Sequence, residues 1–384
     1  MRATAVARLA AAGAASVSGR EAGACLPGTT ARTACGWRRH FAAAPPGAGD
    51  GASGAHSASP PRFFPPGGPG LAAFTPPKRS PTPPPPPTPQ PIPGLAGPVI
   101  AVASGKGGVG KSTIAVNLAA ALAAHATGGG GGDAGNGGRS ACVGLLDADV
   151  SGPSIPRMLG LTEAGDKPAL GPDGRIATLP SPSAPGVRAL STGFLLAKGK
   201  AAVWRGPMAM SALATLTQRG DWAGLGALVI DTPPGTGDVP LSLAQTVALA
   251  GVVVVTTPQD VAAEDAARGA AMWAAAGVRV LGVVVNMDGY ACPCCGHADP
   301  IFGGGGEGGG GGGGGKGSDA WAALHSLPLL GSVPLVTAVR AGGDAGAPVV
   351  VADPHSPAGI ALREVAAKVA AAVGLAWREE GEGG

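Results

Sequence analysis

Between residues 98 and 375 the apolar positions fall into short unbroken runs separated by longer mixed stretches. The runs at 99–103, 142–146, 187–190, 228–230, 252–255, 278–285 and 329–333 predict strands. They do not alternate with polar residues, so both faces are covered, as in a parallel sheet under helices. Stretches at 112–126, 208–219, 241–248, 261–275 and 359–373 carry helical spacing and separate most of the runs. This alternation predicts an α/β fold with a doubly wound, mostly parallel sheet. Residues 168–179, with Asp173-Gly174 at their centre, predict a peripheral hairpin. Glycine runs at 128–138 and 303–317 predict surface insertions, and no internal repeat is present.

The remainder of the 384-residue chain has a different texture, and its 69 glycines and 39 prolines cluster there and in the two insertions. Residues 1–41 hold six arginines against one acid, Glu21, the composition of an organellar presequence. Arg39 lies three residues before a predicted cut between Phe41 and Ala42, which favours the mitochondrial matrix, with the plastid stroma as the alternative. Residues 42–97 read as a Pro/Gly-rich linker, 98–375 as the folded body and 376–384 as an acidic tail. The formal charge of +3 resides in the leader. The body is not basic, which argues against nucleic acid as a partner. No apolar run reaches the roughly 18–20 residues of a membrane helix, so no stable membrane insertion is expected.

Chemistry enters at the end of the first run. Gly105, Lys106, Gly107, Gly108, Val109, Gly110, Lys111, Ser112 and Thr113 follow a strand and open a helix, fitting the G-x-x-x-x-G-K-[ST] template. Glycines let backbone N–H groups wrap phosphate oxygens, and the helix N-terminus adds its positive dipole end. Lys111 is placed to reach the β- and γ-phosphates of ATP, and the Ser112 hydroxyl to bind Mg²⁺. Two more runs end in acids: Asp147 and Asp149 after one, Asp231 before Thr232-Pro233-Pro234-Gly235 after another. Strand-end carboxylates collect at the ligand edge of open α/β sheets, and Asp231 suits a water-mediated hold on Mg²⁺. A lone acid there is often only a helix cap; three beside a phosphate loop favour a metal and water site.

Six cysteines are too few and too unevenly placed for a disulfide scaffold, and Cys142 reads as a buried thiol. Cys292, Cys294 and Cys295 cluster just past a strand, with Pro293 and Gly296 suited to a tight turn. Cys292 and Cys295 have the spacing of a metal knuckle. Only one such pair exists, so tetrahedral zinc or a four-iron cluster requires a second chain. A redox dithiol or a structural pair are the other readings of the same residues.

Taken together, the strings 105–112, 147–154, 204–208, 231–238, 292–295 with 301–303, and 333–346 resemble the Mrp-type branch of deviant-Walker P-loop ATPases, iron–sulfur cluster carriers and scaffolds. The resemblance spans 98–375. It implies that Lys106 is a signature lysine reaching the partner subunit's phosphates, and that Asp149 orients the attacking water while Asp147 supports Mg²⁺. It implies that Gly235 senses the γ-phosphate and that Asn286, with 333–344, surrounds the adenine. It further implies that Cys292 and Cys295 of two subunits bridge one [4Fe–4S] cluster in a homodimer, with weak ATPase activity. A presequence joined directly to the ATPase resembles the branch that matures respiratory complex I, whose apoprotein subunits become the expected clients. Cys294 and both glycine insertions depart from the family pattern. Two other functions weigh against this reading: a spatial-positioning ATPase, disfavoured by the acidic end Glu379, Glu380 and Glu382, and an electron-transfer reductase, whose cluster cysteines are widely spaced.

Overall fold

The computed structural model describes residues 88–126, 142–161, 167–195, 206–291, 298–299 and 326–377. In chain order the elements are β1 (Val99–Ser104), α1 (Lys111–Ala126), β2 (Cys142–Asp147), α2 (Ile155–Met158), β3 (Leu179–Pro180), β4 (Val187–Ser191), α3 (Gly206–Arg219), β5 (Leu225–Asp231) and α4 (Asp238–Thr246). They continue as β6 (Gly251–Thr256), α5 (Asp260–Ala275), β7 (Val280–Ala291), β8 (Ala298–Asp299), β9 (Leu329–Leu335), α6 (Thr337–Ala345), α7 (Val349–Ala352) and α8 (Pro357–Val373).

The strands form one sheet in the order β3-β4-β2-β5-β1-β6-β7-β8, with β9 also paired to β7. All pairs from β4 through β7, and β7 with β9, are parallel; β3 and β8 add short antiparallel pairs. Alternate side chains of each strand serve opposite faces. Ile100 and Val102 pack with α1, α7 and α8, whereas Val99, Ala101 and Ala103 pack with α3, α4 and the Trp273 end of α5. Helix α1 is buried along nearly its whole length, which explains why it is apolar all round rather than striped. Its one buried amide, Asn117, donates to the Thr113 carbonyl at 2.9 Å and accepts from the Val350 amide at 3.1 Å, fastening α7 to the helix.

Several boundaries differ from those expected. The packed region begins before residue 98. The Gln90 amide donates to the Thr246 carbonyl at 2.9 Å, the Ala248 amide donates back to Gln90 at 2.9 Å, and Ile92 is buried among α3, α4 and β5. At the other end Trp377 stacks on His125 with ring centroids 3.5 Å apart, so 376–377 belong with the body. Strand β7 runs to Ala291 rather than stopping at Val285, and the fourth helix starts at Asp238. Cys142 is half-buried rather than fully enclosed, because it opens its strand at the rim of the core. The 168–179 hairpin is present: Leu170 pairs with Ile176 antiparallel, and Gly174 takes φ +75° in the turn.

Candidate functional site

The loops after β1, β2 and β5 leave the same edge of the sheet, since these strands are parallel neighbours. Backbone bonds draw the three loops together. The Ala148 amide donates to the Asp231 carbonyl at 2.9 Å, the Thr232 amide to Val102 at 3.0 Å, and the Gly235 amide to Ser104 at 2.8 Å. Gly235 adopts φ +88° to make that last turn. The phosphate loop 105–110 thus starts from a fixed stem. A Cβ on Gly105 would lie 2.3 Å from the Asp265 carbonyl group, so the loop backbone rests directly on α5. A Cβ on Gly107 or Gly108 would meet nothing within 4 Å. The outer arc of the loop is open.

Lys111 is the hub. It is buried, and its Nζ donates to Asp231 Oδ1 at 2.6 Å and lies 3.9 Å from Asp149 Oδ2. The Ser112 hydroxyl accepts from the same ammonium at 3.4 Å. Asp231 is fully buried, and its second oxygen, Oδ2, has no hydrogen-bond partner among the described residues. Burial raises the Asp231 carboxyl above its usual range, opposed by the Lys111 ammonium and the Ser112 hydroxyl. An enclosed carboxylate oxygen without a donor beside a hydroxyl suits a cation or its water.

Asp147, for which the resemblance implies Mg²⁺ support, also organises the loop that follows β2. It is fully buried and both oxygens are engaged: Oδ1 accepts from the Asp149 amide at 3.2 Å, and Oδ2 from the Ile155 amide at 3.3 Å and the Ser191 hydroxyl at 2.9 Å. It shapes the loop that carries Asp149 and ties it to α2 and β4. Burial, with Asp231 adding repulsion, pushes the Asp147 carboxyl up to about 8. Asp149 itself stays partly accessible and accepts from the Gly152 amide at 3.3 Å.

Lys106 Nζ donates to Gln259 Oε1 at 3.3 Å, at the start of α5. Asn286 Nδ2 donates to the Val109 carbonyl at 2.8 Å. Of the expected site residues, 105–113 with Asp147, Asp149, Asp231, Gly235 and Asn286 thus gather at one edge. Cys292 and Cys295 lie outside the described residues. Ser191 and Gln259 were not anticipated, because a lone polar residue just past an apolar run carries no pattern of its own.

A parallel sheet with a glycine phosphate loop, a second lysine within that loop and acids at two neighbouring strand ends defines a deviant-Walker P-loop NTPase. The profile of the NUBPL iron-transfer P-loop NTPase family matches residues 96–370, and the chain belongs to that family. It is 45% identical over 291 residues to the iron-sulfur cluster carrier protein of Salmonella typhimurium, covering 75% of this chain and 70% of the relative. The mitochondrial iron-sulfur protein required for NADH dehydrogenase of Arabidopsis thaliana is 43% identical over 274 residues, 71% of this chain and 77% of the relative. The iron-sulfur cluster transfer protein NUBPL of Mus musculus is 43% identical over 280 residues, 73% and 78%. Among solved structures, the ADP-bound nucleotide-binding protein of Archaeoglobus fulgidus superposes with a TM-score of 0.51 at 32% identity, covering 65% of this chain and 86% of that one.

Proposed function

We propose that the chain binds Mg·ATP in the 105–113 loop and carries a [4Fe–4S] cluster on Cys292 and Cys295, shared between two copies, for delivery to apoproteins. The related proteins named for NADH dehydrogenase and for cluster transfer support respiratory complex I subunits as clients. Their names and the arginine-rich leader support the mitochondrial matrix, reached by a presequence cut between Phe41 and Ala42.

The observation that supports the reading is that one strand, β7, touches the phosphate loop and leads into the cysteine segment. β7 contributes Asn286, bonded to the phosphate loop, and ends at Ala291, the residue before Cys292. On the far side of the cysteine segment Ala298 pairs with Ala291 and Asp299 with Tyr290.

At the nucleotide end the donor set fits its ligand. Lys111, now balanced by Asp231, would turn to the β- and γ-phosphates, leaving Asp231 Oδ2 and the Ser112 hydroxyl to hold a cation and its water. Mg²⁺ would offset phosphate charge there. Asp149, partly accessible and held by the Gly152 amide, would orient water for a slow hydrolysis. Lys106 would leave Gln259 for a partner's phosphates as two copies close.

Anaerobic reconstitution with iron and sulfide tests the carrier function. Absorption, Mössbauer spectra and iron content should give about one four-iron cluster per two chains, since two thiolates per chain complete a four-cysteine site. Cys292→Ser and Cys295→Ser should each abolish stable loading, and Cys294→Ser should be milder. A full cluster in the Cys292→Ser, Cys295→Ser double variant would refute the site. A colourless protein with stoichiometric zinc, or a monomeric dithiol, would replace it with one of the other readings.

A further inference from the structure

We propose that residues 287–289 of β7 form a strained hinge on which the outer end of that strand, and with it the chain leading into the cysteine segment, takes two positions. The hinge stands on described residues, and its use rests on the cluster reading of Cys292 and Cys295.

β7 is held very differently along its length. Its inner part pairs with β6 from Val280 to Val285 and with β9 from Val283 to Asn286, and Val283 and Val284 are completely buried there. Past Val285 no rung to β6 forms among the described residues, since β6 ends at Thr256. The outer part, Tyr290 and Ala291, meets β9 through Tyr290–Leu335 and β8 through Tyr290–Asp299 and Ala291–Ala298. Tyr290 is half-buried and Leu335 is 40% exposed. Beyond Leu335 comes α6, which has no buried residue. A segment with few rungs and little buried apolar surface opens more easily than the sheet behind it.

An irregularity joins the two parts. From Asn286–Val333 to Tyr290–Leu335, β7 advances four residues while β9 advances two. The β9 residue opposite is Pro334, which has no N–H to give the ladder. The extra length is absorbed by two left-handed residues, Met287 at φ 61° and Gly289 at φ 79°. Glycine adopts that conformation freely, whereas a bulky residue does so at a cost. Met287 is one of two non-glycine residues with positive φ among those described. Returning it to the extended region would relieve the cost and rotate the chain that follows, re-aiming Tyr290, Ala291 and the residue after them. Bulges re-aim what lies beyond them, and a residue strained in one position and relaxed in another gives an element two settings.

Iron-free, nucleotide-free full-length protein tests the hinge by amide hydrogen exchange in the wild type, Met287→Asn and Met287→Val. Asparagine tolerates the left-handed region, and valine, branched at Cβ, fits it worse than methionine. Exchange at Tyr290, Ala291 and Asp299 should slow about three- to tenfold in Met287→Asn and quicken by a similar factor in Met287→Val. The inner strand, 280–285, should keep its wild-type rates. Maleimide labelling of Cys292 and Cys295, read by peptide mass, should follow the same order. Equal exchange in all three proteins, or changes that run equally through the inner strand, would overturn the hinge. Ordered exchange without ordered labelling would overturn its control of the cysteines. If Met287→Val does not fold, the Met287→Asn arm decides alone. The cluster reading fails separately: a wild type that takes up no cluster from iron and sulfide refutes the carrier function and leaves the exchange result standing.

Discussion

Replacing Lys111 by alanine tests the electrostatics of the site before any ligand arrives. This lysine is the counter-ion of a buried acid, 2.6 Å from Asp231 Oδ1, with Asp149 at 3.9 Å and buried Asp147 in the same cluster. Removing one partner of a buried pair leaves an uncompensated charge, a loss of about 3–5 kcal/mol when that charge cannot escape. Here it can escape by taking a proton. Burial already raises the Asp231 carboxyl, Lys111 is the first influence opposing the rise, and the variant lacks it. A carboxylate whose folded value is raised gives stability that is complete below its unfolded value and is lost as pH rises through the folded one. Lys111→Ala should therefore be close to wild type in mildly acidic buffer and progressively weaker as pH rises, approaching about 3 kcal/mol in mildly alkaline buffer. Urea unfolding of nucleotide-free protein across that range measures it. Adding Asp231→Asn to Lys111→Ala should restore most of the loss at high pH. A loss independent of pH, or a double variant no more stable than the single, would refute the ion-pair account. ATP affinity should fall sharply in both.

Gly105→Ala should destabilise by about 2 kcal/mol or more, because its Cβ meets the α5 backbone and not a movable side-chain tip. Gly107→Ala, whose Cβ meets nothing, should stay within about 0.5 kcal/mol of wild type by the same denaturation assay. The wild type without nucleotide should itself lose stability between about pH 4 and 8 as Asp147 is forced to ionise, read by melting temperature across that range; a rise over this interval would contradict the burial argument.

The sheet and the phosphate loop were legible because parallel strands buried on both faces are uninterrupted apolar runs, and because loop glycines and strand-end acids sit at fixed offsets from them. What escaped did so for local reasons. Asp288-Gly289 looks like the end of a strand, yet β7 continues past it because β8 and β9 both pair with Tyr290. Helix α6 contains Gly342 and Gly343, poor helix formers. It is framed by ion pairs from Arg340 and from Arg157 of α2 to Asp344, and it closes on Gly346 at φ 74°. Ile92 lies between Pro91 and Pro93, which hides a core residue inside what reads as a spacer. Asp147 and Asn286 were legible as candidate site residues, but the bonds that hold them were not. Their hydrogen-bond partners, Ser191 and Val109, come together through the strand order alone.

The strap formed by Gln90 and Ile92 sets where this chain can be cut. A protease or a cloning boundary placed ahead of Thr88 severs none of the hydrogen bonds or packing described here. One placed at residue 97 takes away a core isoleucine and both bonds that grip the end of α4. That end leads from α4 directly into β6, beside β1 at the centre of the sheet. Truncation series should therefore show a plateau and then a cliff, and a folded fragment for crystallisation or reconstitution begins at the proline-rich side of that cliff, with Gln90 retained.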